Sequence, residues 1–253
     1  MRPRAYVRGR NHADRSCCGF WEYPKEVLHG QERRNARIMR VHPIIVSHTR
    51  RTENDVDPKV RQSWEEFLSP EVTRPRLIAA SLYITCFEAL KDFVVGRIRS
   101  FFSTGFDESG DRIDPKYQAD VRSRNRSEVY ACLEWLKEMQ AIGDGDVAVF
   151  DRVKACRNVL AHELFSALAS EGLPSDFDQC FSDMGALLRK IEVWWITNVE
   201  IPTNPDFDGT EVDEDEIVPG PIIGIQLLMD IALGDEERSR LYYNEFRKQN
   251  EGG

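Results

Sequence analysis

The sequence predicts an all-α protein, a helical bundle of four to five helices with an N-terminal extension and a C-terminal helical appendage. Apolar residues recur at three- and four-residue steps in several segments between residues 57 and 200, which is the period of an amphipathic helix. Glycine and proline residues fall between these segments and separate them. The chain has 253 residues and a hydrophobic content of 41%, which is enough for the buried core of such a bundle.

Charge and composition divide the chain into four predicted segments: a basic, largely irregular extension (1–56), a helical domain (57–200), an acidic linker (201–220) and a helical appendage (221–253). Residues 1–51 carry a net charge of +8, from 12 Lys and Arg against 4 Asp and Glu, and the remainder carries −17. This acidic body argues against non-specific binding of nucleic acid through bulk charge. Any contact with RNA therefore requires a local basic patch.

The cysteines favour a reducing environment. They show no Cys-x-x-Cys spacing, and four of the six lie inside predicted apolar helices: Cys17, Cys18, Cys86, Cys132, Cys156 and Cys180. The chain has no run of about 18 apolar residues, and its N-terminus lacks the apolar stretch of a signal peptide. We therefore expect a cytoplasmic protein that does not act at a membrane.

No metal and no cofactor is expected from the sequence. The candidate ligands of the extension have no regular spacing, which argues against a zinc site there: His12, Cys17, Cys18, His29, His42 and His48. No segment resembles a glycine-rich loop that cradles phosphate.

The first predicted elements connect the extension to the helical domain. A short strand is expected around Val41–Ser47. Asp57 has the position of a helix N-cap with Pro58 at the first helical position, and the helix that follows ends before Pro70. This helix is placed to fold the extension back onto the core.

A long helix is predicted from Arg76 to Phe102. Its apolar residues form two adjacent stripes, with Tyr83, Phe87, Leu90, Val94 and Phe101 on one and Leu77, Ile84, Val95 and Ile98 on the other. Such a helix is either central in the fold or shared with a partner. Glu88 and Lys91 interrupt the second stripe, which is unexpected for a simple core.

A long connection is predicted over residues 103–124, because this segment contains glycine, proline and mixed charge. It leads into the densest basic patch of the body of the protein, Arg122-Ser123-Arg124-Asn125-Arg126. Asn125 with Glu128 resembles a capping box at the start of a helix that continues to about Ala141.

The last predicted elements follow the same helical period. Phe177, Phe181, Met184, Leu188, Ile191 and Trp195 recur at three- and four-residue steps in a helix that Pro202 stops. The segment Asp206–Glu216 has seven acidic residues in eleven and predicts a solvated, mobile linker. An apolar helix is expected beyond Pro221, with a break at Gly234 and a last charged helix through Phe246.

The stretch that carries chemistry is predicted as one amphipathic helix, Asp151–Leu168. Its apolar stripe consists of Phe150, Val153, Leu160, Leu164 and Leu168, and Arg157 falls on that stripe. A guanidinium is costly to bury without a partner, so Arg157 requires an ion pair, a cleft or a symmetry-related subunit. Asn158 and His162 are one helical turn apart, and we expect the three side chains to converge at one edge of the helix.

The hexapeptide Arg157-Asn158-Val159-Leu160-Ala161-His162 resembles the Arg-x4-His motif of the HEPN superfamily. The helix order of residues 74–199, about half of the chain, is the order that such a domain needs. Active members of this superfamily are metal-independent ribonucleases, so the resemblance implies an endoribonuclease that leaves a 2′,3′-cyclic phosphate, with RNA as its partner. It also implies a role as a toxin or an antiviral defence effector.

The resemblance implies a role for four residues of the site. His162 would transfer a proton near neutral pH, and Arg157 would neutralise the charge that develops on the phosphate. Asn158 matches a polar residue that is common after the motif arginine and would orient His162 or the phosphate. Glu88 matches an acidic residue on an earlier helix and would pair with Arg157; alternatively, it forms a surface feature with Lys91.

The resemblance also implies partners. HEPN ribonucleases act as homodimers with the two motifs facing one cleft, and a two-fold partner would also cover the surplus apolar surface of the long helix. An antitoxin or another regulatory partner is possible in such a system. Toxins of the family that are silenced by nucleotidylation carry Tyr two residues after the histidine, and this chain has Leu164 there.

Other readings of the same residues stay open. Arg122, Arg124 and Arg126 either contact RNA phosphates or form a solvated loop. Cys156 is expected in the core rather than as a nucleophile, because it lies on a different face from His162. The alternative function is a non-catalytic all-helical RNA- or protein-binding module in which Arg157 pairs internally and is structural.

Overall fold

The computed structural model describes residues 6–7, 57–108, 110–207 and 212–251. Within these ranges the chain is mostly helical, which confirms the all-α class. The helices are α1 (Pro58–Leu68), α2 (Pro70–Phe101), α3 (Glu128–Glu138), α4 (Asp144–His162), α5 (Leu164–Ser166), α6 (Phe177–Trp195), α7 (Gly220–Leu233) and α8 (Glu236–Glu251). The strands are β1 (Tyr6–Val7), β2 (Ser103–Asp107), β3 (Gly110–Ile113) and β4 (Ile217–Val218).

Most of the N-terminal extension, including the strand expected at Val41–Ser47, lies outside the described residues. Its described part is β1, which pairs with β4 in antiparallel register, Tyr6 opposite Val218. None of the helices in the described ranges combines the length and the apolar run that crossing a bilayer requires.

Helix α1 begins as the sequence predicts. The Asp57 side chain accepts a hydrogen bond of 2.9 Å from the backbone N–H of Lys59, and Pro58 occupies the first helical position. Both features satisfy or avoid the unpaired N–H groups at a helix start. At the corner that follows, Thr73 Oγ1 donates to the carbonyl oxygen of Phe67 at 2.7 Å, which fixes α1 against α2.

Helix α2 is the centre of the fold. Its buried stripe includes Tyr83, Phe87, Leu90, Val94 and Ile98, and it packs against α3, α4, α6 and α7. The helix begins at Pro70, earlier than the predicted Arg76, because Pro75 falls in its second turn and does not end it. Of the predicted second stripe, Leu77 is 43% exposed and Ile98 is buried, while Phe101 of the predicted first stripe is 51% exposed.

The expected long connection over residues 103–124 is wrong in part, because β2 and β3 form an antiparallel hairpin there. Gly105 lies at a register shift in β2 with φ of 154°, and Gly110 opens β3 with φ of 112°. Both angles favour glycine, so the residues that suggested an irregular loop are the ones that the hairpin needs. Short helical turns over Tyr117–Val121 and Arg122–Arg124 lead on to α3.

The predicted capping box of α3 is wrong. Ser127 is the N-cap, and Asn125 instead accepts a hydrogen bond of 3.0 Å from the Ser127 backbone N–H through Oδ1. The Glu128 carboxylate accepts from the Tyr117 hydroxyl at 2.8 Å. The helix therefore starts at Glu128 and its first-turn acid ties it to the preceding turn.

A charged network joins the end of α6 to α2. The Glu192 carboxylate is fully buried, and Arg97 donates to it through Nη2 at 2.7 Å and Nε at 3.2 Å. Arg97 Nη1 also donates to Glu200 at 2.6 Å. A bidentate guanidinium is the partner that a carboxylate in the core requires.

The C-terminal helices pack on the domain. Helix α7 contributes Ile222, Ile225 and Met229 to the same core as α2. The break at Gly234 occurs as predicted, and α8 follows it. The buried Asp230 carboxylate links α7 to α8. It accepts hydrogen bonds from the side chains of Gln226 on α7 and of Arg238 and Tyr242 on α8.

The acidic linker is ordered at its end. Residues 208–211 lie outside the described ranges. Glu214–Glu216 forms a single 3-10 turn, and Ile217 is buried in a small cluster with Val193 and Ile196 of the α6 region. This end of the linker is therefore packed, although a mobile segment was expected.

Candidate active site

Helix α4 carries the hexapeptide in its last turns. The helix starts at Gly143, whose N–H donates to the Asp146 carboxylate at 2.7 Å, and it ends at His162. The predicted bounds, Asp151–Leu168, are therefore wrong at both ends, although the buried positions Phe150, Val153 and Leu160 agree with the predicted stripe. Because Gly143 and Asp146 supply the cap, the helix begins two turns before the apolar pattern does.

Arg157 is held against α2 by several contacts. Its Nη2 donates to Glu88 Oε1 at 2.5 Å, and its Nη1 donates to Asn158 Oδ1 at 3.3 Å. The guanidinium carbon lies 5.8 Å from the ring centroid of Phe87. Nε is buried and has no hydrogen-bond partner among the described residues. The side chain is 28% exposed, so the cation on the apolar stripe is paired and is also reached by solvent.

Glu88 joins two cations. Its Oε2 accepts from Lys91 Nζ at 2.6 Å, while Oε1 accepts from Arg157. Lys91 holds the pKa of the Glu88 carboxyl below its ordinary value, and Arg157 adds to this effect against the opposing influence of burial. Lys91 Nζ also lies 5.9 Å from the Phe87 ring centroid. The group Lys91–Glu88–Arg157 thus has one net positive charge over an aromatic ring.

Both sequence readings of Glu88 therefore apply, since it contacts Arg157 and Lys91 at once. Asn158 is also brought to Arg157, as its side chain accepts from the guanidinium.

His162 is placed differently from the expectation. It is the last residue of α4 and is exposed, and no hydrogen bond or ion pair joins it to Arg157 or Asn158 in the described chain. Of the three side chains that were expected to converge, Arg157 and Asn158 are in contact, and no hydrogen bond or ion pair of the described residues extends from them to His162. On an ideal helix Arg157 and His162 differ by about 140° in direction and about 7.5 Å in height, which separates them.

The three arginines of the basic patch have different surroundings. Arg122 Nη1 lies 3.5 Å from the carbonyl oxygen of Asn125, and Arg126 is exposed. Arg124 forms an ion pair with Glu138 and donates to the backbone of Asp120. Since Glu138 neutralises Arg124, its charge is less available to an anion than that of Arg126.

Another cation of the motif helix, Lys154, was missed by the sequence reasoning. Lys154 Nζ lies 4.7 Å from the ring centroid of Tyr130 and 3.2 Å from its hydroxyl oxygen. The Tyr130 hydroxyl donates to Asp151, and its ring packs edge-on against Phe150 at 5.5 Å. The available signal was the three-residue step from Lys154 to Arg157 on one helix face.

Cys156 is in the core, as expected, and it belongs to a cluster of possible metal ligands. Cys156, Asp176 and Cys180 each offer a ligand atom, and these atoms all lie within 4.8 Å of one another. Burial raises the pKa of the Cys180 thiol to about 12 and also raises the pKa of the Cys156 thiol. No local spacing indicates this cluster, because Cys156 and Cys180 lie on different helices.

Comparison with known proteins gives no match to a protein-family model, to a curated protein or to a solved structure.

Proposed function

We propose that the protein is a metal-independent endoribonuclease of the HEPN type, with a HEPN-like bundle, that cleaves RNA by attack of the 2′-hydroxyl and leaves a 2′,3′-cyclic phosphate. The observation that carries the proposal is that Arg157 is held in a fixed position and is still reached by solvent. This guanidinium is fixed by Glu88 and Asn158 and is still 28% exposed, and it lies in a hexapeptide that ends in the exposed His162. A fixed cation near a titratable side chain is what phosphodiester cleavage without a metal requires.

Arg157 supplies fixed positive charge where the phosphorane develops. Its pairing with Glu88 does not cancel this charge, because Lys91 shares the same carboxylate and leaves the group with one net positive charge. The pair instead fixes the direction of the guanidinium, and such preorganised charge stabilises a transition state without reorganisation. Arg157 and Lys91 together attract the scissile phosphate.

His162 moves the proton. An imidazole near neutral pH can accept the proton of the 2′-hydroxyl or donate one to the leaving 5′-oxygen. In the proposed reaction the 2′-oxygen bonds to phosphorus, the bond from phosphorus to the 5′-oxygen breaks, and the 5′-oxygen leaves with a proton. Asn158 orients the phosphate or His162, since its Oδ1 is already bound to Arg157.

The separation of Arg157 from His162 supports a composite site. The two side chains point in different directions from α4, so a second copy of the chain is the natural source of a facing motif. A homodimer about a two-fold axis through the motif helices places two arginines and two histidines along one cleft. Val159, which lies about one turn before His162 on α4 and is 38% exposed, is available for such an interface.

RNA reaches this cleft with help from the basic patch. Arg122 and Arg126 contact backbone phosphates, and Arg124 contributes less because Glu138 neutralises it. A biological role as a toxin or antiviral effector, and control by an antitoxin or regulatory partner, belong to the same proposal in a cytoplasmic setting.

One observation favours a second function. The Glu88–Arg157 ion pair satisfies the arginine within the chain, which a structural arginine in a non-catalytic RNA- or protein-binding module also needs. The two functions make different predictions for His162. A ribonuclease needs its imidazole for proton transfer, whereas a binding module does not need it, because an exposed side chain contributes little to packing.

The test is cleavage of a defined RNA in EDTA by the wild-type protein and by His162→Ala, with the folded fraction measured in parallel by circular dichroism. We expect cleavage by the wild type, products that end in a 2′,3′-cyclic phosphate, and no cleavage by His162→Ala. The matched control is Glu163→Ala, the exposed neighbour, which should cleave normally. Folded wild-type protein that fails to cut any RNA tested, or full cleavage by His162→Ala, would contradict the proposal.

A further inference from the structure

The start of α6 and the inner face of α4 bring two thiols and a carboxylate together. Cys156 and Cys180 are 4% and 0% exposed, whereas Asp176 is at the surface. The Cys180 thiol donates to Asp176 Oδ2 at 3.4 Å, and the ligand atoms of all three residues lie within 4.8 Å of one another. Two soft ligands and one hard ligand thus meet at a point that is buried on one side and open to water on the other.

These separations suit a tetrahedral metal ion. With bonds of about 2.3 Å to sulfur and about 2.1 Å to oxygen, tetrahedral angles place sulfur about 3.6 Å from oxygen and about 3.8 Å from a second sulfur. The distance of 3.4 Å between Cys180 Sγ and Asp176 Oδ2 is close to the first of these values. The other two separations are no more than 4.8 Å, so binding requires the ligand atoms to approach one another by at most about 1 Å.

We propose that Cys156, Cys180 and Asp176 form a site for a thiophilic divalent metal ion of the zinc class, with water as the fourth ligand. Each thiol releases its proton to solvent as its sulfur binds the metal, so two metal–sulfur bonds and one metal–oxygen bond form without any change of oxidation state. Two thiolates and one carboxylate leave the site with one net negative charge. Arg152, which forms an ion pair with Asp183, also interacts electrostatically with Cys180.

The site is structural and is separate from the proposed active site. Cys156 faces α6, while its neighbour Arg157 faces Glu88 on α2. A bound metal would link the buried face of α4, through Cys156, to the start of α6, through Asp176 and Cys180. The proposal does not depend on ribonuclease activity, since neither Arg157 nor His162 is a ligand.

The other described cysteines provide matched controls. Cys86 and Cys132 are also buried and free, and they belong to no cluster of ligand atoms of this kind among the described residues. Cys17 and Cys18 lie in the extension, outside the described residues, and must be tested separately as a source of thiolate.

The experiment is titration of the full-length, reduced protein with Co²⁺ under anaerobic conditions. We expect one Co²⁺ per chain, with a near-ultraviolet thiolate-to-cobalt charge-transfer band and the visible bands of a tetrahedral ion, and displacement by one equivalent of Zn²⁺. Cys156→Ser and Cys180→Ser should each reduce the charge-transfer band at least tenfold at equal Co²⁺. Cys132→Ser and the double variant Cys17→Ser/Cys18→Ser should keep it.

The absence of a charge-transfer band in the wild type would overturn the proposal. A band that survives in both Cys156→Ser and Cys180→Ser, or one that disappears in Cys17→Ser/Cys18→Ser, would also overturn it. Asp176→Asn keeps the test decisive if a buried cysteine variant does not fold, because Asp176 is exposed. We expect this variant to bind Co²⁺ at least tenfold more weakly than the wild type, and unchanged binding would contradict the site.

Discussion

The Arg157 guanidinium on α4 donates to the Glu88 carboxylate on α2 at 2.5 Å, across 69 positions of the sequence. This contact fixes the direction of the arginine, and a lysine could not reproduce it together with the contact to Asn158, because an ammonium has no planar fork. We therefore expect Arg157→Lys to lower RNA cleavage by about 10²- to 10³-fold, the usual effect of removing one preorganised donor to a developing oxyanion. Single-turnover cleavage rates measure the effect.

The matched control for this variant is Arg152→Lys. Arg152 lies on the same helix and forms an ion pair of the same length, but with Asp183 on α6 and not with α2. Its conversion should leave cleavage unchanged. Equal rates for Arg157→Lys and the wild type would show that Arg157 is structural, in favour of the non-catalytic module.

The basic patch gives a prediction about RNA affinity. Arg126→Ala should weaken RNA binding and reduce the slope of log affinity against log salt by about 1, because one phosphate contact is lost. Arg124→Ala should change the slope less, since Arg124 is already paired with Glu138. Fluorescence anisotropy at several salt concentrations, with the inactive His162→Ala background, provides the measurement. A larger effect from Arg124→Ala would contradict the assignment.

The helices could be predicted because their signals are local. The stripe of α2 and the cap of α1 each depend on residues a few positions apart. By contrast, the hairpin over residues 103–113 is short and mostly exposed along both strands, so it has no alternation of buried and exposed positions that a period of two would indicate. The predicted start of α4 is too late because Gly143 and Asp146 form a cap that has no apolar pattern.

Some residues of the candidate site could also be predicted from the sequence, and others could not. The hexapeptide was visible in the sequence, and Glu88 could be proposed because it interrupts an apolar stripe. The network of Arg97 with Glu192 and the cluster of Cys156 with Cys180 join residues far apart in the chain, and no local spacing indicates them. The separation of His162 from Arg157 follows from their spacing of five residues on one helix, so the sequence already implied it.

The homodimer is tested through the motif helix. Val159→Asp places a charge on the exposed side of α4 about one turn before His162, and we expect it to shift the protein from dimer to monomer and to lower cleavage in parallel. The matched control is Ile231→Asp, an exposed apolar position on α7 that is 52% exposed. Light scattering at micromolar concentration measures the mass. A wild-type monomer with full ribonuclease activity would defeat the composite site.

The lowered pKa of the Glu88 carboxyl implies that the stability of the fold depends on pH. Lys91 and then Arg157 hold its pKa below the ordinary 4.5, so the unfolded chain binds the proton more readily than the folded one. The stabilisation is therefore fully present above pH 4.5 and is lost as the pH falls through the lower, folded-state pKa. Glu88 is 37% exposed, so solvent and salt reduce the effect.

We expect the difference in unfolding free energy between wild type and Glu88→Gln to be constant from about pH 5 to pH 7 and to shrink at lower pH. Urea denaturation at a series of pH values measures this difference. A difference that grows on acidification would contradict the direction of the pKa shift.

The ion pair between Arg97 and Glu192 predicts the largest loss of stability. Arg97→Ala leaves the Glu192 carboxylate, whose side chain is 1% exposed, without its bidentate partner. Removing one member of a buried pair costs about 3–5 kcal/mol, because the remaining charge is uncompensated. Arg99→Ala, an exposed position on the same helix, should change the unfolding free energy by no more than about 0.5 kcal/mol.

The double variant Arg97→Met/Glu192→Leu distinguishes two causes of instability in Arg97→Ala: the loss of the ion pair itself and the burial of an unpaired Glu192 carboxylate. If the cost of Arg97→Ala comes from the unpaired carboxylate, replacing both residues with apolar ones of similar size should restore most of the stability. Urea denaturation followed by tryptophan fluorescence reports on the region, because Trp195 lies in the same helix as Glu192. A double variant that is as unstable as Arg97→Ala would show instead that the pair itself stabilises the contact between α2 and α6.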